Sequence, residues 1–357
     1  MSAAPEVTTA PAEGLFAYKG FDADFRCRGM QYAVGETFSI DGDVIACERG
    51  LHACEYPLHV FTNYPPAHSR YAFVRAHGAI SRPFTVRTDF AAATLAIEDE
   101  IDALALVQCA TIQLLERGDP AAWQRVLGHH QAVSATGVGS LADIVGDRSV
   151  ASATSTRSLA KADGYRSAAC ATASQAVACA EGYEVTASVT GLWSAARAVG
   201  DRSIASAAGD WSIASAAGDG SIASTAGYGS AADAQGYGSA VISTAELSRA
   251  STYGPRSTAS VTGERSVASV INIESSASAT GEMGAAEAMG WDSVALAAGI
   301  RGRVRAALGS AIVVCHRDAK GRLINIRAGI VGRDGLRPGV WYSLDADGQF
   351  VEAEVTS

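Results

Sequence analysis

"SIASAAGDW" at 203–211, "SIASAAGDG" at 212–220 and "SIASTAGYG" at 221–229 are three consecutive copies of one nine-residue phrase. The frame runs unbroken from Gln131 to Ser310 as 20 units, with Ser first in 15 and Gly seventh in 15. Its third position is always Ala or Val, from Val133 to Val304, and its fifth is usually Ala. A repeat this regular sets the architecture before any single residue does. Positions one, three and five are small, while two, four and six admit Lys161, Arg197, Asp233 and Glu287. Alternation with period two is a strand with one thin inner face. Gly at position seven is read as the turn. An Ala-rich helix would throw positions three and five to opposed faces and carry Gly, Ser and Thr through its interior. Disorder would not demand Ala or Val at every third position.

Nine residues make one strand and one turn, too little to close a coil, so the closed unit is two repeats. The expectation is a parallel β-solenoid of about ten 18-residue coils, stacked over about 48 Å. Residues 18 apart should then lie on neighbouring coils. That register puts Trp193 against Trp211 and Tyr165 against Tyr183, and makes a column of Arg166, Glu184 and Arg202. Such neighbours each contribute a few tenths to about 1 kcal/mol.

The chain has 357 residues and a formal charge of −9, enough for two or three domains and without a concentrated basic face for phosphates. Seven cysteines without paired spacing fit a reducing cytoplasm. No long apolar run or leader is present, so no membrane is expected; no cofactor is expected either. The opening residues 1–14 read as a disordered tail.

Residues 15–92 have ordinary composition and read as a small α+β domain. Within 46–80 lie Cys47, His52, Cys54, Glu55, His59, Tyr64, His68 and Arg70. Cys27, Cys47, His52 and Cys54 are soft-ligand types, but they lack a zinc-knuckle spacing, and buried thiols filling a β core account for them as well. Cys54 with His52 or His59 is the nucleophile–base pairing to consider, without an orienting Asp or Asn nearby in sequence. If the domain is an enzyme or a small-ligand sensor, Lys19, His52, Glu55 and Tyr64 are its candidate catalytic residues.

Two resemblances bear on this domain. "YKG" (18–20), then "GLH" (50–52), then Tyr64 resemble the front half of the ADP-ribosyltransferase fold. There an aromatic-His/Arg-Gly strand and a later Gly-aromatic strand line a nicotinamide cleft. Lys19 stands where those enzymes have His or Arg, and Glu98 and Glu100 are the acids available later. The phrases "YKGFDADFRCRGMQYAVGETF" (18–38), "CERGLHACEYPLHVFTNYPP" (47–66) and "SRYAFVRAHG" (69–78) are more similar to the N-terminal domain of an uncharacterised bacteriophage and prophage family. Its members often continue into Ala/Ser/Gly repeats and close with segments like 299–318 and 339–355. The resemblance implies this architecture and a phage or prophage setting; it implies no activity.

Residues 93–130 read as helical: acids Glu98, Asp99 and Glu100 at a helix start, and a second helix from Pro120 to Gly128. Their expected job is to cap the first coil with Trp123, Val126 and Leu127, because an open sheet edge would pair with other chains. Residues 311–357 read as two β-hairpins closing the other end. A rod with one ordinary domain points first to a structural or interaction protein with an unidentified protein partner. Small exposed repeat faces also allow a homo-oligomer. The competing class is an enzyme or ligand sensor with its site in residues 15–92.

Overall fold

The computed structural model describes residues 6–83, 88–117, 123–333 and 335–353. The chain divides into two compact units, Met1–Arg117 and Gly118–Ser357.

The first unit is built from β1 (Glu6–Thr9), β2 (Leu15–Phe21), β3 (Arg26–Cys27), β4 (Met30–Gln31), β5 (Thr37–Ser39), β6 (Leu51–Cys54), β7 (Arg70–Arg82), β8 (Asp89–Ile101) and α1 (Ala103–Arg117). A 3-10 helix at Pro57–Thr62 follows β6. Strand β7 pairs with β2 and β8, and β6 pairs with β2 and β8, so four antiparallel strands close into a ring. Its core is Ala17, Phe21, Leu51, Val74, Phe90 and Leu95 with their neighbours. The ring is thinnest between β2 and β6, where the register holds a single pair, Tyr18 with Cys54.

Two readings of this region are corrected. Residues 6–9 belong to no tail: they form β1, antiparallel on β7. Residues 93–101 are strand, because Leu95 and Ile97 point inward while Glu98 and Glu100 point outward to Arg75 and Arg70 of β7. These acids were read as a helix start, but they end a strand in which Glu98 and Glu100 share the outward face. The helix begins only after Asp102, whose carboxylate accepts the Ala105 N–H at 2.7 Å as an N-cap.

The second unit is a parallel β-solenoid. Its strands alternate between two sheets: an odd sheet from β9 (Trp123–Leu127) to β29 (Arg303–Ala306), and an even sheet from β10 (Ala132–Ala135) to β30 (Ala311–Arg317). Each strand pairs in parallel with the one 18 residues later, as Ile204 pairs with Ile222. There are eleven parallel rungs on each sheet, not ten. The extra odd rung is Trp123–Leu127, which pairs with Leu141–Val145 in the same register. The segment read as a second helix and a plug is therefore itself the first rung; Pro120 lies outside the described residues. The last coil is one residue short, since Val294 pairs with Ala311 and the Ser293 N–H reaches Ser310 Oγ.

The physical duties of the repeat are divided differently from the sequence reading. Position three and most of position five form a core of buried Ala and Val. Serine at position one is buried and makes a second ladder. Ser212 Oγ donates to the Gly191 carbonyl at 3.0 Å and accepts the Ser194 N–H at 3.3 Å, and Ser167, Ser194 and Ser257 each do the same one coil apart. These hydroxyls satisfy backbone groups at the corner, where direct strand pairing stops. Glycine at position seven serves both turning and approach: Gly182 (φ 137°) and Gly200 (φ 128°) hold a backbone that side chains rarely adopt, and a Cβ on either would also strike the previous coil. A Cβ on Gly209 would sit 2.0 Å from the Gly191 carbonyl oxygen, although the backbone of Gly209 is not left-handed. Position nine is also left-handed and is mostly not glycine: Arg166 (φ 55°), Glu184 (56°), Trp193 (54°) and Arg202 (57°).

Two hairpins close the far end. Strand β30 turns into β31 (Leu323–Ile330), and β32 (Tyr342–Leu344) pairs antiparallel with β29 before turning into β33 (Phe350–Glu352). Val331, Leu336, Tyr342 and Leu344 join the end of the alanine core. Their bulk covers apolar surface that alanine alone could not, and each full burial of such a side chain is worth about 1.5–3 kcal/mol. The reversal from parallel to antiparallel ends both ladders.

Candidate functional site

The chemistry-capable residues of the first unit meet at the seam between β2 and β6. Alternation along β2 sends Ala17, Lys19 and Phe21 the same way, so Lys19 is carried into the protein, with 2% of its surface exposed. Its ammonium donates to the His52 carbonyl at 2.8 Å and to Cys27 Sγ at 3.4 Å. It also lies over the rings of Tyr32 (5.1 Å) and Phe21 (5.4 Å). Lys19 thus bridges the two strands where their backbone ladder has ended. Burial pulls its pKa below the usual lysine range, against the opposing pull of Cys27.

Cys27 is the hub. Its sulfur accepts from Lys19 and, at 2.9 Å, from the Tyr64 hydroxyl. Burial and that hydrogen bond push the Tyr64 phenol well above its ordinary value. Gly20 makes the arrangement possible, because a Cβ there would stand 2.5 Å from the Tyr64 ring. The "YKG" phrase therefore has one physical meaning: Tyr18 pairs the strands, Lys19 staples them, and Gly20 admits Tyr64.

A cavity of about 370 Å³ opens beside this hub, lined by Lys19, Cys27, Arg28, His52, Tyr64 and Asp89 among others. His52 Nε2 is buried without a hydrogen-bond partner. Burial first, then the nearby Arg28 and Lys19 charges, pull the imidazole down to about 4, so it is neutral at physiological pH. The cavity therefore offers an uncharged imidazole, a phenol, a buried amine, a guanidinium and one carboxylate.

The structure brings three of the four candidate residues together and leaves one out. Lys19, His52 and Tyr64 line the cavity; Glu55 does not, because both of its contacts with Arg82 (2.7 and 3.0 Å) hold its carboxylate elsewhere. Glu98 and Glu100 are likewise held by Arg75 and Arg70. His59 is fully buried against Thr88, and Cys54 Sγ approaches Asp89 at 3.9 Å, so neither completes a Cys–His pair. Cys47 and Cys54 also line the cavity, yet no metal-holding group of three or more His, Cys, Asp or Glu exists among the described residues. Sequence reasoning missed Arg28 and Asp89; the left-handed turn at Arg28-Gly29 (φ 50° and 81°) that aims the guanidinium has no motif of its own.

On the solenoid, Trp193 and Trp211 stack at 5.7 Å with planes 5° apart, and Tyr165 and Tyr183 stack at 5.8 Å and 10°. Glu184 lies between Arg166 (2.6 Å) and Arg202 (3.6 Å). Position eight carries carboxylates that cap the next coil: Asp147 accepts the Tyr165 N–H and Asp219 the Tyr237 N–H.

The second unit is, in class, a parallel β-solenoid closed by antiparallel hairpins. Residues 15–108 match a family model described as a domain of unknown function (DUF7666). We found no match among curated proteins and none among solved structures. Among the described residues no helix is long and apolar enough to cross a membrane.

Proposed function

We propose that this chain is a structural or protein-interaction protein whose solenoid presents fixed columns of side chains to a protein partner. The reading extends to a bacteriophage or prophage protein acting in the cytoplasm of a bacterial host, supported by the resemblance of residues 18–78 to that family. The observation that carries the interaction role is the division of labour in the repeat. Small inner positions and hydroxyl ladders fix the backbone, while corner positions eight and nine hold varied charged and aromatic side chains at a constant pitch. Extended targets are matched by such regular columns. Full-length protein immobilised in lysate of phage-infected bacteria should retain a partner that the full-length triple variant Arg166→Glu, Arg202→Glu, Arg256→Glu loses. Retention of the same partner by the triple variant would reject the corner columns as its binding surface.

The seam cavity favours a second reading, a small-ligand sensor or a transferase-like enzyme. Its support is the convergence of Lys19, His52, Tyr64 and Arg28 on one 370 Å³ space, with Asp89 as its carboxylate. A nucleotide set screened by native mass spectrometry against full-length protein tests it. Binding that Tyr64→Phe and His52→Ala both weaken would favour the sensor; no binding by the wild type would remove it.

A further inference from the structure

The two sheets of the solenoid differ in a way the nine-residue phrase conceals. On the odd sheet, outward residues include Arg125, Asp143, Lys161, Arg197, Glu287 and Arg305, several of them ion-paired between rungs. On the even sheet, positions two and four are Ala, Val, Ile, Leu, Thr, Ser or Cys on every rung from Ala132 to Val313. Position six beside them is Thr or Ala from Thr136 to Ala298. None of these outward residues is charged. The apolar members are open to solvent: Val150 is 42% exposed, Ile204 40% and Ile222 38%, whereas Leu159, Val177 and Ile213 at the same second position of the odd sheet are buried.

This face is continuous over eleven rungs. At about 4.8 Å per rung and about 3.3 Å per residue it measures about 50 Å by 15 Å, or about 750 Å². A stable interface needs about 800 Å² from each partner, with an uncharged centre and a polar rim. The corners supply that rim, with Asp147, Arg148, Asp201 and Arg202 along one edge and Glu264 and Arg265 along the other. A surface without charge meets a copy of itself without repulsion, and its small residues let the two sheets approach closely. We propose that the even sheet pairs with the even sheet of a second copy of this chain, the two solenoids related by a two-fold axis. This goes beyond the corner-mediated reading above and does not depend on it.

Sedimentation equilibrium and light scattering on the full-length chain, across micromolar concentrations, provide the test. The wild type should have twice the chain mass. Ser206→Lys with Ser224→Lys places one lysine on each of two adjacent rungs near the middle of the face. A two-fold dimer would bury four, so the dissociation constant should rise by at least about a hundredfold. Thr244→Lys makes the same test at an exposed position outside the strands, should the double variant fail to fold. Gln235→Lys on the odd sheet should leave the dimer intact. Tryptophan emission and circular dichroism check that each variant is folded. A monomeric wild type, or a folded double variant or Thr244→Lys variant that remains as dimeric as the wild type, overturns the proposal.

Discussion

The ring of Tyr64 lies 2.5 Å from where a Cβ on residue 20 would stand, and its hydroxyl is 2.9 Å from the Cys27 sulfur. Gly20→Ala should therefore destabilise the first unit by about 2–3 kcal/mol through overpacking. The double variant Gly20→Ala, Tyr64→Ala should recover part of that loss, because the side chain in the way is gone. Hydrogen exchange in peptides covering β2 and β7 reads the effect. Equal protection in wild type and Gly20→Ala would show that Tyr64 simply moves aside.

His52 should titrate near 4 in the folded protein, against an ordinary value of 6.5. Its folded pKa is depressed, so between those two values the unfolded chain holds a proton that the folded unit refuses. Stability of the first unit is thus lost as pH falls from 6.5 toward 4 and is flat, for this group, above 6.5. The imidazole is partly exposed, which moderates the size of the effect. Proton NMR of the histidine ring, assigned by loss of its signal in His52→Gln, measures the value. A midpoint near 6.5 would remove the argument.

Two glycines should behave opposite to their backbone angles. Gly209 is not left-handed, yet Gly209→Ala drives a Cβ to 2.0 Å from a carbonyl of the preceding coil and should cost about 3 kcal/mol or more. Gly238 is left-handed at φ 65°, with nothing within 4 Å of its Cβ position, and Arg256 holds the same conformation one coil later. Gly238→Asn should change stability by less than about 1 kcal/mol. All five tryptophans lie in the second unit, so urea unfolding followed by their fluorescence isolates it.

The serine ladder predicts a further contrast. Ser212→Ala strips a buried carbonyl and a buried N–H of their partner, and should cost about 1–3 kcal/mol. Ser203 is equally buried, but its hydroxyl has no partner. Ser203→Ala should be close to neutral. Equal costs at the two sites, read by the same urea titration, would mean the ladder is not what stabilises the corner.

The solenoid was legible because its interior repeats: Ala at 205, 214 and 223 can fill only one kind of space, and the 18-residue register follows from closing a coil. That register places Trp193 on Trp211 at stacking distance. The ends were less legible. "WQRVL" at 123–127 shares no Ser or Ala with the repeat, yet it pairs rung for rung with Leu141–Val145, because the neighbouring strand supplies the order that its own sequence lacks. The face difference escaped a nine-residue frame, which averages Lys161 with Cys170 and Arg197 with Ser206. In the first unit, Lys19 was legible as a special residue but not as a staple. Its partners are a carbonyl 33 residues on and a sulfur at a short turn, and neither is announced by a side-chain pattern.

The pairing of each residue with the one 18 later, on every coil but the last, makes chain length a stepped quantity. Removing 18 residues from the middle shortens the stack by one storey and leaves both façades as they were. Removing nine exchanges them: everything beyond the cut would turn its charged side to where the uncharged side had been, and the closing hairpins would arrive on the wrong walls. A gene encoding this rod can grow or shrink by whole coils, and each such change preserves the surface it shows.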